Sequence, residues 1–165
     1  MSVSRGEPTG EGRRIAVIVA RFHEHVTANL LEGALAGLRS HGVGDEAVDV
    51  AWVPGAFEIA LVAKRMASTG TYDAVICLGA IVRGETAHFD LIAAEAARGV
   101  AAVGRETGVP VIFEVLATET LAQAEARAGG SHGNKGWDAA EAALEMADLL
   151  DQLPKEAKAR EGSLR

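Results

Sequence analysis

AVICLGAIVRGETAHFD, residues 74–90, is the stretch on which the architecture turns. Its first five residues are all apolar, as in a strand covered on both faces. After Phe89 the chain becomes Ala-rich, and Phe89, Ile92, Ala93, Ala96, Val100 and Val103 recur at helical spacing until Gly108, Val109 and Pro110 end the pattern. Between strand and helix, Arg83, Glu85, Thr86 and His88 crowd together, which is more chemistry than a connector needs.

The same alternation runs outward in both directions. Strands are expected over residues 14–20 (RIAVIVA), 47–53 (AVDVAWV), 73–78 (DAVICL) and 109–115 (VPVIFEV). Leu30, Leu31, Ala34, Leu35 and Leu38 predict a helix behind Thr27 as N-cap, with Gly42 as its stop. Phe57, Leu61 and the Ala-rich positions to Met66 predict a second, closed by Gly70. A short helix over residues 119–128 and a longer one carrying Trp137, Ala140, Leu144 and Ala147 flank GGSHGNKG, so a kinked or broken helical pair is expected there. Alternating strands and helices predict one α/β domain, with a mainly parallel four-stranded sheet and helices on both faces. Residues 13–153 would form that domain. Residues 1–12, polar and Gly-rich with no signal-peptide core, would be a flexible arm, and residues 154–165 a frayed tail.

A chain of 165 residues can bury about two-thirds of its unfolded surface as one domain. Its 48% apolar and 24% charged residues are those of a soluble globular protein, and no apolar run reaches the roughly 20 residues of a membrane span. A net charge of −7 and a pI near 5.2 argue against nucleic acid as a partner, because phosphate backbones need a basic face. Cys77, the single cysteine, reads as a small buried hydrophobe in a reducing cytosol, which places the protein in the cytoplasm and excludes disulfide and zinc frameworks.

Parallel sheets bind ligands at the carboxyl ends of their strands, so the strand-to-helix junctions carry the chemistry. Gly84, Glu85 and Thr86 open the long helix, where free N–H groups and the helix dipole suit a phosphate; Thr86 is equally an ordinary N-cap. His88, in the first turn, is either a proton-transfer group or a capping histidine. Phe22, directly after the first strand, either stacks on a flat heterocycle or folds back into the core. Glu58 either binds a polyol or complements a helix dipole. His23, Glu24 and His25 lack a second set of ligands, so no metal is expected. Lys135 lies in Gly-rich polar surroundings that do not desolvate it as a Schiff-base lysine requires, and Arg127 can be read as a helix C-terminal cation.

Taken together, ARF at 20–22, VPGAFEI at 53–59, LGAIVRGETAHFD at 78–90, and ARAGG with GNKGWDAA between 126 and 140 resemble the 6,7-dimethyl-8-ribityllumazine synthases of riboflavin biosynthesis. The likeness spans about residues 13–150. It implies a single-domain, flavodoxin-like three-layer sandwich and a transferase without cofactor or metal. The reaction implied joins 5-amino-6-(D-ribitylamino)uracil to 3,4-dihydroxy-2-butanone 4-phosphate, with loss of phosphate and water. By that resemblance Phe22 stacks on the pyrimidine; Ala56, Phe57 and Glu58 hold the ribityl chain; and Ala80, Ile81 and Val82 line the pyrimidine pocket. Glu85 and Thr86 take the phosphate, chiefly through backbone amides, and His88 transfers protons. Phe113 and Arg127 arrive from a neighbouring subunit, Arg127 pairing with the phosphate and Lys135 lying nearby.

The chain departs from the family's usual pattern at Ala60, Glu114, Ala117 and Ser131, and His23 stands where some members have Asn. Glu114 matters most, because a carboxylate beside Phe113 adds charge near an anionic substrate. The resemblance also implies a homopentamer, since two chains make each site. Some members join twelve pentamers into a 60-subunit shell that can enclose riboflavin synthase. The short GGSHGNKG turn leans towards the shell; Pro8 leans against it, because proline cannot donate to an added strand. A non-catalytic lumazine- or flavin-binding homologue is the rival reading, and so is a shell-forming one; retention of Thr86, His88 and Arg127 favours the enzyme. Arg83 is left without a role other than contact with a neighbouring chain.

Overall fold

The computed structural model describes residues 1–154. Its core is a sheet of four parallel strands in the order β2-β1-β3-β4, formed by β1 (Ile15–Ala20), β2 (Val48–Val53), β3 (Ala74–Val82) and β4 (Val111–Thr118). Helices α1 (Glu24–Ser40), α4 (Leu121–Arg127) and α5 (Lys135–Gln152) cover one face; α2 (Ile59–Ala67) and α3 (His88–Thr107) cover the other. This is the expected α/β sandwich with flavodoxin-like strand order. Successive residues of β1 and β3 point to opposite faces and both faces are covered, which is why these strands are apolar without alternation. Ile15, Val17 and Val19 pack with Leu30, Leu38 and Leu144, while Ala16, Ile18 and Cys77 pack with Ile59 and Val100.

Several local expectations are corrected. Strand β3 continues past Leu78 to Val82, because β4 goes on supplying backbone partners as far as the Val82–Thr118 pair. Helix α1 begins at Glu24, so Thr27 is a fully buried residue of its first turn rather than its N-cap, and its hydroxyl faces the Glu24 carbonyl at 3.4 Å. Phe57 belongs to a 3-10 turn, Ala56–Glu58, ahead of α2 and is exposed. The short fourth helix spans Leu121–Arg127, capped by Thr120. The GGSHGNKG segment breaks the helical pair, one of the two forms expected, rather than kinking it. It folds into a small antiparallel ladder of β5 (Ala128–Gly130) and β6 (Gly133–Asn134), which separates α4 from α5.

Residues 5–7 lie alongside α5, where Glu7 N donates to Asp148 Oδ2 at 2.9 Å and Gln152 Nε2 donates to the Arg5 carbonyl at 2.9 Å, while Gly10 N donates to the His41 carbonyl at 2.8 Å at the end of α1. The tail expectation concerns mainly residues 155–165, which fall outside the described residues. Among the described residues no helix is long and apolar enough to cross a membrane.

Helices α1 and α5 approach closely enough to need small residues at their contact. Asn134 caps α5, its Oδ1 accepting from Gly136 N at 2.8 Å while its Nδ2 donates to the Asn29 carbonyl at 2.8 Å. That cap presses Gly136 against α1, where an added Cβ would overlap the Leu30 carbonyl oxygen. Backbone cannot swing aside as a side chain can, so Gly136→Ala is expected to destabilise the fold by about 2–3 kcal/mol, the upper part of the overpacking range. Urea unfolding at one fixed protein concentration measures this; an unchanged midpoint would refute the close-approach reading.

Candidate active site

Strands β1 and β3 pair only from Ile15–Ala74 to Val19–Leu78. Beyond that point the chain leaving β1 stays with β2: Arg21 N donates to the Val53 carbonyl at 2.8 Å and Phe22 N to the Pro54 carbonyl at 3.2 Å. Strand β3 continues with β4 instead. The two therefore separate, and a cavity of about 500 Å³ opens between them at the carboxyl edge of the sheet. In flavodoxin-like sheets this is the switch point at which ligands bind.

The cavity gathers most of the residues the sequence singles out. Phe22 stands at its edge, 68% exposed, so its ring is not folded into the core. Ala56, Phe57 and Glu58 line it from the turn after β2, Ala80, Ile81 and Val82 from the end of β3, and Thr86 and His88 from the start of α3. Glu85 lies in the same connection but is not among the lining residues. Glu58 is already engaged: its Oε2 accepts the Gly55 N–H at 3.0 Å, which fixes the turn below the cavity.

Helix α3 starts at His88, after Ala87, which has no side-chain capping bond. Thr86 Oγ1 accepts only a long 3.4 Å contact from His88 N, so Thr86 is not the simple N-cap of the alternative reading. Among the described residues, the backbone N–H groups of Gly84, Glu85, Thr86 and Ala87 make no hydrogen bond. An open N-terminus of a 20-residue helix beside an imidazole can receive an oxyanion and exchange a proton with it.

Two apolar residues of the lining were not recognised as such from the pattern. Phe89 and Ile92 belong to the apolar stripe of α3, and periodicity alone cannot distinguish the part that packs on the sheet from the part that faces a cavity. Gly84, read in the sequence with Glu85 and Thr86 as the anion-binding stretch, lines it as well. His23, read in the sequence as part of a rejected metal pair and as a departure from the family pattern, also lines the cavity and caps α1 in the left-handed conformation with φ of 58°. Its ring meets Phe22 edge-on at 5.0 Å, and burial, with a smaller push from His25, holds its pKa below the usual value.

Phe113, Arg127 and Lys135 are not brought to this cavity within one chain. Phe113 lies on β4, partly exposed. Arg127 and Lys135 line a separate depression with Glu114, Thr118 and Gln123. Arg127 Nη1 donates to the Gln123 carbonyl at 2.9 Å, the helix-end contact its position suggested. Lys135 Nζ bonds Asp138 Oδ2 at 2.6 Å, and that bond keeps its pKa above the ordinary lysine range. Cys77 is fully buried and its thiol is pushed up to about 12 by that burial. Neither group is an activated nucleophile.

A model of the family described as 6,7-dimethyl-8-ribityllumazine synthase matches residues 12–151. The chain belongs to that family. The match spans every residue of both depressions, and the family is one of transferase-type enzymes in riboflavin biosynthesis.

Glu114 shares the second depression with Arg127 and Lys135, so its charge does face the two cations. Burial raises its pKa, Lys135 offsets part of that, and Asp138 adds to it. A raised carboxyl binds its proton more readily in the folded chain than in the unfolded one. Its cost to stability is therefore present above the folded value and vanishes as pH falls towards the ordinary value of 4.5. Glu114→Gln is expected to raise the urea midpoint near neutral pH, with the gain shrinking as the pH approaches 4.5. A gain that stays constant over that interval would mean the carboxyl's charge is not its source.

Proposed function

We propose that the chain condenses 5-amino-6-(D-ribitylamino)uracil with 3,4-dihydroxy-2-butanone 4-phosphate to give 6,7-dimethyl-8-ribityllumazine. The single observation that carries this reading is the cavity between β1 and β3. It places an exposed aromatic ring, an open helix N-terminus and a histidine around one space of about 500 Å³. Phe22 stacks on the pyrimidine, and Ala80, Ile81 and Val82 form the apolar wall beside it. Ala56, Phe57 and Glu58 receive the ribityl chain at the turn after β2. The phosphate lies against the free amides of Glu85 and Thr86.

The chemistry suits a protein without an activated nucleophile, because the substrate's own 5-amino group attacks the ketone. Water leaves as the imine forms, phosphate is eliminated next, and water leaves again as the second amine closes the ring. His88 exchanges protons during imine formation and phosphate loss. Holding two substrates together supplies most of the acceleration, which fits a site built from backbone amides and apolar walls. No cofactor enters this scheme.

Arg127, with Phe113 and Lys135 beside it, completes the cavity of a neighbouring chain and neutralises the phosphate there. The homopentamer is the smallest active unit, and twelve pentamers can close into a shell that encloses riboflavin synthase in the cytoplasm. Trp52, Phe57, Leu61, Leu91 and Leu121 are large apolar side chains left exposed on one chain, as an assembling surface would have them.

Mixing the two substrates with purified protein and following lumazine absorbance and phosphate release tests the reaction. His88→Ala is expected to lower kcat by about two to four powers of ten, the usual weight of proton transfer. Equal rates with and without the wild-type protein would refute the enzyme reading. Shared sites make a separate prediction: co-assembled His88→Ala and Arg127→Ala chains should be more active than either variant alone, because some mixed sites contain both wild-type residues. Activity no higher than the variants' average would place Arg127 outside the neighbour's site.

A further inference from the structure

The connection from β3 to α3, residues 83–87, carries the groups assigned above to the phosphate, yet little holds it in place. Gly84 has open space where a side chain would be, and residues 84–87 make no backbone hydrogen bond from their N–H groups among the described residues. The exception is the residue at its start. Arg83 N donates to the Thr118 carbonyl at 2.9 Å, and its side chain turns back over the first turn of α3. There Nη1 and Nη2 each lie 3.2 Å from one oxygen of Asp90, a fork-to-fork pair spanning the connection. On its other edge Nε donates to Glu119 at 2.8 Å, in the link between β4 and α4. The guanidinium plane also covers Phe89, with Cζ 4.2 Å from the ring centre.

Three of the five N–H groups and one face of this guanidinium are thus engaged, and its partners lie beside both depressions. Phe89 lines the cavity directly, Asp90 is two residues from His88, and Glu119 lines the depression that holds Arg127. Exposed ion pairs contribute little to global stability, so the consequence of this arrangement is local order. Two carboxylates already neutralise Arg83, which leaves it no free charge for a substrate anion.

We propose that Arg83 is a positioning residue: forked onto Asp90, bonded to Glu119 and stacked on Phe89, it holds residues 84–87 and the first turn of α3 where they receive the phosphate-bearing substrate. This rests on the reaction proposed above. Only a planar fork meets all three partners together, so Lys at this position keeps the charge and loses the geometry.

The test compares wild type with Arg83→Lys, Arg83→Gln and Asp90→Asn in two measurements: calorimetric binding of inorganic phosphate, and steady-state kinetics with each substrate varied. All three variants are expected to bind phosphate about tenfold or more weakly and to show a similar rise in KM for the phosphate-bearing substrate, with KM for the pyrimidine within about twofold of wild type. Their melting temperatures should stay close to that of wild type. Recovery of both readouts by Arg83→Lys would show that charge alone suffices and overturn the proposal. So would wild-type values in all variants, or equal rises in both KM values accompanied by a large fall in melting temperature. A wild type that binds phosphate without turnover would refute the reaction alone, and weaker phosphate binding by the variants would still support Arg83's role. Neither turnover nor phosphate binding by wild type would remove both.

Discussion

The site depends on one mismatch in backbone pairing. Strand β1 stops sharing hydrogen bonds with β3 at Val19, and the chain that follows it keeps to β2, whereas β3 runs on beside β4 to Val82. A sheet whose strands ended together would close this edge. Because they end unequally, the sheet splits where the strand order reverses, and the split becomes the cavity. Each wall then comes from a different strand end, so the residues around the cavity lie far apart in the chain and are held by the rigid core behind them.

That core leaves the surface little freedom. Both faces of β1 and most of β3 are buried, and the close contact of α1 with α5 at Gly136 locks one layer onto the sheet. The connections at the strand ends are held more lightly. Glu58 secures one turn through the Gly55 N–H, and Arg83 ties another across the start of α3. A rigid scaffold carrying few, specifically anchored loops is the usual division between packing and binding. In the proposed function Glu58 would serve both: a carboxylate held by a backbone N–H has a fixed direction, and a fixed acceptor orients a polyol better than a freely rotating one.

Much of the fold was legible because its signals are local. Uniform apolar runs identified the inner strands, helical spacing identified the long helices, and Gly108 ended α3 in the left-handed conformation expected of a C-terminal glycine. Errors arose where distant partners overrode local cues. Gly79 interrupts the apolar run and suggests a strand end, yet pairing with Val115 carries β3 through it. Thr27 resembles a cap, but His23 takes that place by adopting a backbone conformation that a histidine seldom shows. Arg83 had no visible role because Glu119, one of its partners, is 36 positions away.

By itself the sequence determined the order of elements, the layered α/β class, and the chemical groups at the strand ends, because each follows from residue type and short-range periodicity. The tertiary structure decided which of those ends share a space. It joined Phe22, Glu58, Thr86 and His88 around one cavity and left Arg127 and Lys135 in another. The reason is physical: a periodic pattern records which side of an element is buried, whereas a cavity is set by how far each strand pairs with its neighbours, and those pairings join residues that local sequence does not connect.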